Sequence, residues 1–322
     1  MRAIMQDSES NRLTIGEAEE PDPAYGELLI EVKATALNRA DLLQKRGLYP
    51  PPPGASPILG LEMAGTVLEG AGPWQPGDRV MALLPGGGYS ERVRIPAAMA
   101  MAIPHSLSYA QGAGIPEVFL TAYLNLFRLG GLQAGQSVLV HAGASGVGTA
   151  AIQLAKSVGC YVIATAGSAE KLDACLRLGA DEAIDYKEGP FLPAVLDYTA
   201  GRGVDVIMDF VGASYWDQNV SALALDGKLI LIGLLGGAKV KELNLSQLIA
   251  RRLQIIGTSL RRLSPERKEA LSAEFAERFL PQLASGVIYP VIDSEWDWSR
   301  AEEAHAYMES NRNIGKIILT VS

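Results

Sequence analysis

The chain has 322 residues, a formal net charge of -8, 48% hydrophobic and 20% charged residues. That length exceeds the roughly 250–300 residues at which a single hydrophobic core stops growing, so two domains are expected. The acidic balance leaves no basic footprint for nucleic acid or an anionic membrane surface, and the longest apolar runs, such as 229–235, fall short of the ~20 residues a membrane span needs.

In chain order, the opening Met-Arg-Ala-Ile-Met-Gln-Asp has no charged region feeding an apolar stretch, so no secretory signal is expected and a cytoplasmic location is the default. Residues 1–118 read as a strand-rich, barrel-like β domain: Gly-Glu-Leu-Leu-Ile-Glu-Val at 26–32 alternates, and 63–68 and 79–84 are short apolar runs bounded by Gly and Pro. From 119 to 263 strands alternate with helical patterns, the signature of βαβ units. Strands are expected at 137–142, 161–166, 182–186, 204–210, 228–233 and 253–259, enough for a doubly wound parallel α/β sheet. Val147, Ala150, Ala151, Leu154, Ala155 and Val158 recur at helical spacing after the first of them. Cys160 and Cys175, the two cysteines, are too few for a disulfide framework and read as reduced packing residues. Ser264-Pro-Glu opens a helix over 264–285, and 316–321 is strand-like. The tail, 264–322, is expected to rejoin the first domain.

The segment His141-Ala142-Gly143-Ala144-Ser145-Gly146-Val147-Gly148 sets small residues between a buried strand and a helix N-terminus. Glycines open backbone conformations closed to other residues, and free N–H groups at the positive helix end stabilise a pyrophosphate. The fingerprint G-x-G-x-x-G survives as Gly143-x-Ser145-x-x-Gly148, with Ser in the middle position. Its bland alternative is a tight turn needed only for helix–strand packing; the strand, helix and βαβ run around it favour a dinucleotide. An NAD site usually ends the second strand with an acid, whereas this region reads Thr165-Ala-Gly167-Ser168-Ala-Glu-Lys171. Ser168 and Lys171 can hold a 2′-phosphate, which favours NADPH, although Ser168 could simply cap a helix and Lys171 be a solvated charge. Tyr186 could pack on the adenosine side. Thr121, a helix residue at the domain crossing, could reach the nicotinamide amide. The loops after the fourth to sixth strands, with Val211, Gly233, Leu234, Ser259 and Leu260, lie where open α/β sheets bind ligands.

With that site reached, the whole chain resembles the zinc-less quinone oxidoreductases of the medium-chain dehydrogenase/reductase superfamily. The resemblance rests on Gly26-Glu-Leu-Leu-Ile-Glu-Val, Asn38-Arg-Ala-Asp41, Pro76-Gly-Asp-Arg-Val80, the turn from His141 to Gly148, and Asn313-Ile-Gly-Lys-Ile317. The run from Asn38 through Tyr49 to Ser56, with Leu84-Pro-Gly-Gly-Gly, is similar to the tumour-suppressor-inducible branch of that family, which reduces quinones with NADPH. The resemblance implies a GroES-like β-rich catalytic domain completed by the C-terminal tail, an inserted six-stranded Rossmann domain, and an active site in the cleft between them. A homodimer through the edge strand at 253–259 is also typical.

Zinc-dependent members of the superfamily use Cys, His and Cys or an acid, but the first ligand position reads Asn38 and the expected Gly-His-Glu reads Gly60-Leu61-Glu62. His105, His141 and His305 are scattered through different elements, so no zinc site is expected. Without a metal, positioning and electrostatic preorganisation are the remaining levers, and a flat quinone whose oxygen takes a proton from a hydroxyl or water suits them. The resemblance implies Tyr49 and Ser145 as contacts at the reacting centre, with Asn38 and Asp41 shaping the first-domain side. Structurally, Tyr49 could only wall a cleft, Ser145 only bind cofactor, and Asn38 and Asp41 only cap a helix. Two alternatives stay open at this stage: an NADPH-dependent enoyl or enone reductase, and a non-catalytic NADPH sensor.

Overall fold

The computed structural model describes residues 1–7 and 10–322 and separates into two units, one of Met1–Leu120 with Leu263–Ser322 and one of Thr121–Arg262. In the first, β1 (Arg2–Gln6) and β2 (Leu13–Glu17) pair antiparallel. The alternating segment becomes β3 (Glu27–Ala36), running beyond 32 because Ala34 and Ala36 continue its buried face. Then come α1 (Arg39–Lys45), β4 (Glu62–Glu69), β5 (Arg79–Leu83), β6 (Arg92–Pro96), β7 (Met101–Ala102), α2 (Tyr109–Ala113) and α3 (Pro116–Tyr123).

The second unit alternates β8 (Ser137–Val140), α4 (Gly146–Ser157), β9 (Tyr161–Ala166), α5 (Ala169–Arg177), β10 (Glu182–Asp185), α6 (Leu192–Tyr198), β11 (Val204–Asp209), α7 (Trp216–Ala222), β12 (Leu223–Leu231), α8 (Leu245–Ala250) and β13 (Gln254–Gly257). The chain returns through α9 (Pro265–Ala284), β14 (Ile292–Asp297), α10 (Ala301–Glu309) and β15 (Lys316–Thr320).

Strands β8 to β13 form a six-stranded sheet in the order β10-β9-β8-β11-β12-β13, and each neighbouring pair is parallel. This is a Rossmann sheet, whose order reverses at its first strand and opens a ligand crevice at the C-terminal strand ends. Its centre, Leu139, Ile163, Ile207 and Leu229, is wholly buried, as strands covered by helices on both faces must be. Three expected strand ends are trimmed for visible reasons. Ala142 takes a positive φ of 50°, so β8 stops at Val140, and His141 lies just beyond the strand rather than within it. The Asp209 carboxylate captures the amides of Val211 and Gly212, which ends β11 before Phe210. The third strand stops at Asp185, whose carboxylate takes the Lys187 amide and turns the chain. At the fifth strand the start moves as well: Leu223 is buried and pairs with Val204 across an irregularity, so β12 begins before 228, while it ends at Leu231 rather than 233, and β13 spans Gln254–Gly257 rather than 253–259.

In the first unit the sheet order is β14-β15-β3-β4-β5-β7, with β6 also on β3. The tail supplies a strand of this sheet: β15 lies antiparallel to β3, with Ile318 opposite Ala36. Leu37, Leu42, Leu59, Tyr89, Trp298, Ile317 and Leu319 close the core beneath this GroES-like β-rich fold.

Candidate cofactor and active site

At the end of β8 the backbone turns through Ala142 and Gly143, and the Gly143 amide bonds the carbonyl of Thr165 at 2.9 Å, tying the turn to β9. Ser145 is the N-cap of α4: its Oγ accepts from the Gly148 amide at 3.0 Å. The hydroxyl keeps its own proton to donate elsewhere. The first amides of the helix, those of Gly146 and Val147, have no carbonyl of their own turn to bond. A Cβ on Gly148 would sit 2.3 Å from the Ala142 oxygen and 2.6 Å from that of Gly143. Glycine is therefore what lets α4 close onto the turn. On Gly143 a Cβ would meet Ala164 Cβ at 2.9 Å and Cys175 Sγ at 2.8 Å, so the turn packs directly on β9 and α5. Burial pushes the Cys175 thiol up to about 12, which makes it an inert packing group. The cradle fits a dinucleotide pyrophosphate: amides and a positive helix end are offered where a side chain would otherwise fill the space.

Beyond β9, Ser168 caps α5 by accepting from the Lys171 amide at 3.4 Å. A Cβ on Gly167 would lie 2.6 Å from the Tyr186 hydroxyl, so that ring covers the Gly167 backbone, with 43% of Tyr186 exposed. Gly167, Ser168, Lys171 and Tyr186 thus come together at one end of the crevice. Tyr186 sits where an adenine ring could stack, and Lys171 is on the first turn of α5.

The loops after β11 and β12 are knitted to each other. The Gly233 amide reaches the Asp209 carbonyl at 3.3 Å, and that of Gly236 reaches the Val211 carbonyl at 2.7 Å. Gly212, at φ +83°, is crowded by the Leu234 side chain. Val211, Gly233 and Leu234 therefore share one patch, with Leu234 exposed. Ser259 and Leu260 follow β13, Leu260 buried, beside the bond from Thr258 N to the Leu231 carbonyl. Thr121, largely buried in α3, gives its carbonyl to Asn125 Nδ2 at 2.7 Å.

A buried polar chain supports the crevice, and its Asp209 and Asn219 carry no recognisable motif. His141 Nε2 lies 2.7 Å from Asn219 Oδ1 and His141 Nδ1 lies 3.0 Å from Thr165 Oγ1. Asn219 Nδ2 donates to Asp209 Oδ2 at 3.1 Å, so its oxygen must accept, and Nε2 is the protonated nitrogen of His141. Burial lowers the His141 pKa to about 4, against the hydrogen bond to Asn219. It is a neutral strut between strand ends. Burial raises the Asp209 pKa, opposed by the bonds from Val211, Gly212 and Asn219.

In the first unit, Asn38 and Asp41 begin α1. Asp41 is fully buried; its Oδ2 accepts from the Asn38 amide at 2.7 Å and its Oδ1 from that of Gly60 at 3.2 Å. Burial pushes its carboxyl up to about 7, against the two amides and the charge of Lys316. Asn38 points into a buried cluster: Nδ2 donates to Glu62 Oε1 at 2.8 Å, and Oδ1 accepts from Lys316 Nζ at 2.8 Å. Both residues are consumed by internal bonds. Tyr49, half-buried, lies in the loop after α1. Among the described residues no group of three or more His, Cys, Asp or Glu side chains is placed to hold a metal ion, and no helix is long and apolar enough to cross a membrane.

Comparison with known proteins places these features among relatives. Residues 24–105 match the family described as alcohol dehydrogenase GroES-like domain, and 146–277 the one described as zinc-binding dehydrogenase. The chain is 33% identical over 317 residues to the human synaptic vesicle membrane protein VAT-1 homolog, covering 93% of this chain and 80% of that one. It is 31% identical over 304 residues to the quinone oxidoreductase of Rattus norvegicus, covering 93% and 90%. Among solved structures, a quinone oxidoreductase from Pseudomonas syringae superposes with a TM-score of 0.87 at 29% identity over 99% of this chain and 100% of that one. A mycobacterial protein complexed with NADPH gives the same TM-score, identity and coverage. The JamJ enoyl reductase superposes with a TM-score of 0.84 at 26% identity, over 96% and 95%.

Proposed function

The chain belongs to the medium-chain dehydrogenase/reductase superfamily, and from that premise we propose that it is an NADPH-dependent quinone reductase that works without zinc. The observation that carries this reading is the cradle at Gly148, where a Cβ would strike the Ala142 oxygen at 2.3 Å and the leading amides of α4 are left for phosphate. Similarity to the rat and Pseudomonas syringae quinone oxidoreductases supports the acceptor class, and the neighbour complexed with NADPH supports the cofactor.

Gly143, Ala144, Ser145, Gly146, Val147 and Gly148 would hold the pyrophosphate; Gly167, Ser168 and Lys171 the 2′-phosphate; Tyr186 the adenine; and Thr121, Val211, Gly233, Leu234, Ser259 and Leu260 the nicotinamide half. The bound cofactor supplies a hydride. The chain's own work is to orient and to place a proton. Ser145 accepts from Gly148 and keeps its hydroxyl proton free to donate, and Tyr49 offers a phenol; these are the groups assigned to the reacting centre. Asn38 and Asp41, whose polar atoms are taken by backbone and buried side chains, act by shaping α1. Asn38 and Leu61 stand where zinc-dependent relatives need ligands, which is the basis for zinc independence.

We assign a homodimer to the free side of β13, since that strand has β12 as its one neighbour in the sheet. Leu243, Leu245 and Ile249, which precede it in the chain, are exposed. A cytoplasmic location accompanies the reading.

The test is NADPH oxidation with ortho- and para-quinones beside a 2-alkenal, and NADH in place of NADPH. Quinone-dependent oxidation that prefers NADPH is expected. Turnover of the alkenal alone would favour an enoyl reductase, a reading to which the JamJ similarity lends weight; tight NADPH binding with no turnover would favour a sensor.

A further inference from the structure

Glu62 and Lys316, the buried partners of Asn38, form the most deeply buried ion pair among the described residues, with side chains 0% and 3% exposed and Nζ 2.8 Å from Oε1. The Lys316 ammonium gives one bond each to the Leu37 carbonyl at 2.7 Å, Asn38 Oδ1 at 2.8 Å and Glu62 Oε1 at 2.8 Å. Three donors meet three acceptors, so the group is saturated. Glu62 extends the grip in two directions: Oε1 also accepts from Asn38 Nδ2, and Oε2 accepts from the Glu117 amide at 2.8 Å, in the first turn of α3.

A buried pair of this kind is weak evidence for stability, because apolar residues of similar volume often serve as well. Its specific effect is geometric. A donor-only lysine on one side and an acceptor-only carboxylate on the other fix which end of the Asn38 amide points where. The same pair holds the entry to α1, which leads to Tyr49, and the start of α3, which carries Thr121. One cluster therefore sets the origin of two elements that bear residues assigned above to acceptor and cofactor.

We propose that Glu62 and Lys316 are positioning residues for the reductase reaction, acting through Asn38 on α1 and through the Glu117 amide on α3. This rests on the reductase reading. Both side chains are buried away from solvent, and the pair does mechanically, with a charge carried by the chain itself, what a bound cation does when it gathers ligands from separate segments.

The test compares wild type with Lys316→Met, the double variant Lys316→Met/Glu62→Gln, and Lys316→Gln/Glu62→Gln, each measured for melting temperature, NADPH KM and kcat. Lys316→Met should lose stability, since it strands the Glu62 charge. The Met/Gln double variant should recover most of the melting temperature, as the stranded Glu62 charge is gone, while its kcat stays about tenfold or more below wild type because misplacement of a supporting element costs turnover on that scale. The Gln/Gln variant, whose amide again donates toward Leu37 and Asn38, should regain part of that kcat. If the double variants fold poorly, the comparison is made on Lys316→Met well below its melting temperature, with kcat scaled to the folded fraction. Wild-type kcat in the Met/Gln variant, or in folded Lys316→Met, would overturn the positioning role and leave a structural ion pair. A wild-type protein that oxidises NADPH with neither quinone nor alkenal sinks the reductase reading and the positioning role together, so the two failures are told apart.

Discussion

Replacing Gly148 by Ala tests the phosphate cradle with a single methyl group. The added Cβ would sit 2.3 Å from the Ala142 oxygen and 2.6 Å from that of Gly143, whereas carbon–oxygen contacts settle at roughly 3.3 Å or more. The turn or the start of α4 must therefore yield by about 1 Å, and neither is slack. The turn is tied to β9 through Gly143 N and Thr165 O, and closed by the 2.9 Å bond from Ser145 N to the Ala142 carbonyl. Overpacking of this sort costs about 1–3 kcal/mol, and in domains of 150–250 residues each kcal/mol moves the melting temperature by roughly 2–4 °C, so a fall of several degrees is expected. The same movement carries the Gly146 and Val147 amides off the pyrophosphate. Losing one hydrogen bond to a charged group, worth about 1.5–3 kcal/mol, weakens NADPH roughly ten- to a hundredfold. The assay is a fluorescence titration of NADPH beside a thermal melt, with Gly189→Ala as control, since a Cβ there meets nothing within 4 Å. If Gly148→Ala binds NADPH as wild type does, the cradle is not the pyrophosphate site and the proposed cofactor pose is wrong.

Lys171→Ala should raise the NADPH KM about tenfold and leave that for NADH unchanged, as expected on losing one charge-assisted bond to a 2′-phosphate; equal effects on both cofactors would remove Lys171 from that role. Stability should bend with pH in two opposed windows. Asp41, raised by burial to about 7 from 3.8, binds its proton more tightly folded than unfolded, so its contribution is complete below 3.8 and is lost as pH rises toward 7. His141 and His305, both lowered to about 4 from 6.5 chiefly by burial, act the other way: their contribution is complete above 6.5 and is lost as pH falls toward 4. Denaturant titrations should show Asp41→Asn gaining on wild type as pH rises through that range, and His305→Gln losing less than wild type as pH falls; parallel curves would contradict the assignments. Ile249→Asp, at a residue of α8 that is 78% exposed, should convert the proposed dimer to a monomer by sedimentation without lowering the melting temperature of each chain, and a wild-type monomer at micromolar concentration would refute the interface.

The parallel sheet and the small-residue turn after its first strand were legible because their signals are local. A buried run, a cluster of small residues and a helical stripe follow one another between 137 and 158, and the strand–turn–helix they imply is the one formed. What failed was where strands stop, and the causes are local too but conformational: Ala142 goes to positive φ, and the Asp209 side chain withdraws two amides from the ladder. Apolarity alone cannot report either event, since His141 and Phe210 extend the runs without extending the strands.

Function in the first unit was harder to read for a different reason. Asn38 and Asp41 stood out through the family resemblance, with helix capping as the structural alternative, and the structure makes Asp41 the buried acceptor of the Asn38 amide. Glu62 drew notice as the last residue of Gly60-Leu61-Glu62, where the expected histidine is missing, and Lys316 lay inside a motif shared with the quinone oxidoreductases, yet neither suggested the other. They are 254 residues apart, and no periodicity links a lysine at the head of a tail strand to a glutamate on β4. Only the antiparallel seating of β15 on β3 brings them within reach. Lys316 brings a fixed charge from the tail to the root of α1; a substitution there should therefore be felt first at Asn38, through a bond that exists only once the tail has docked.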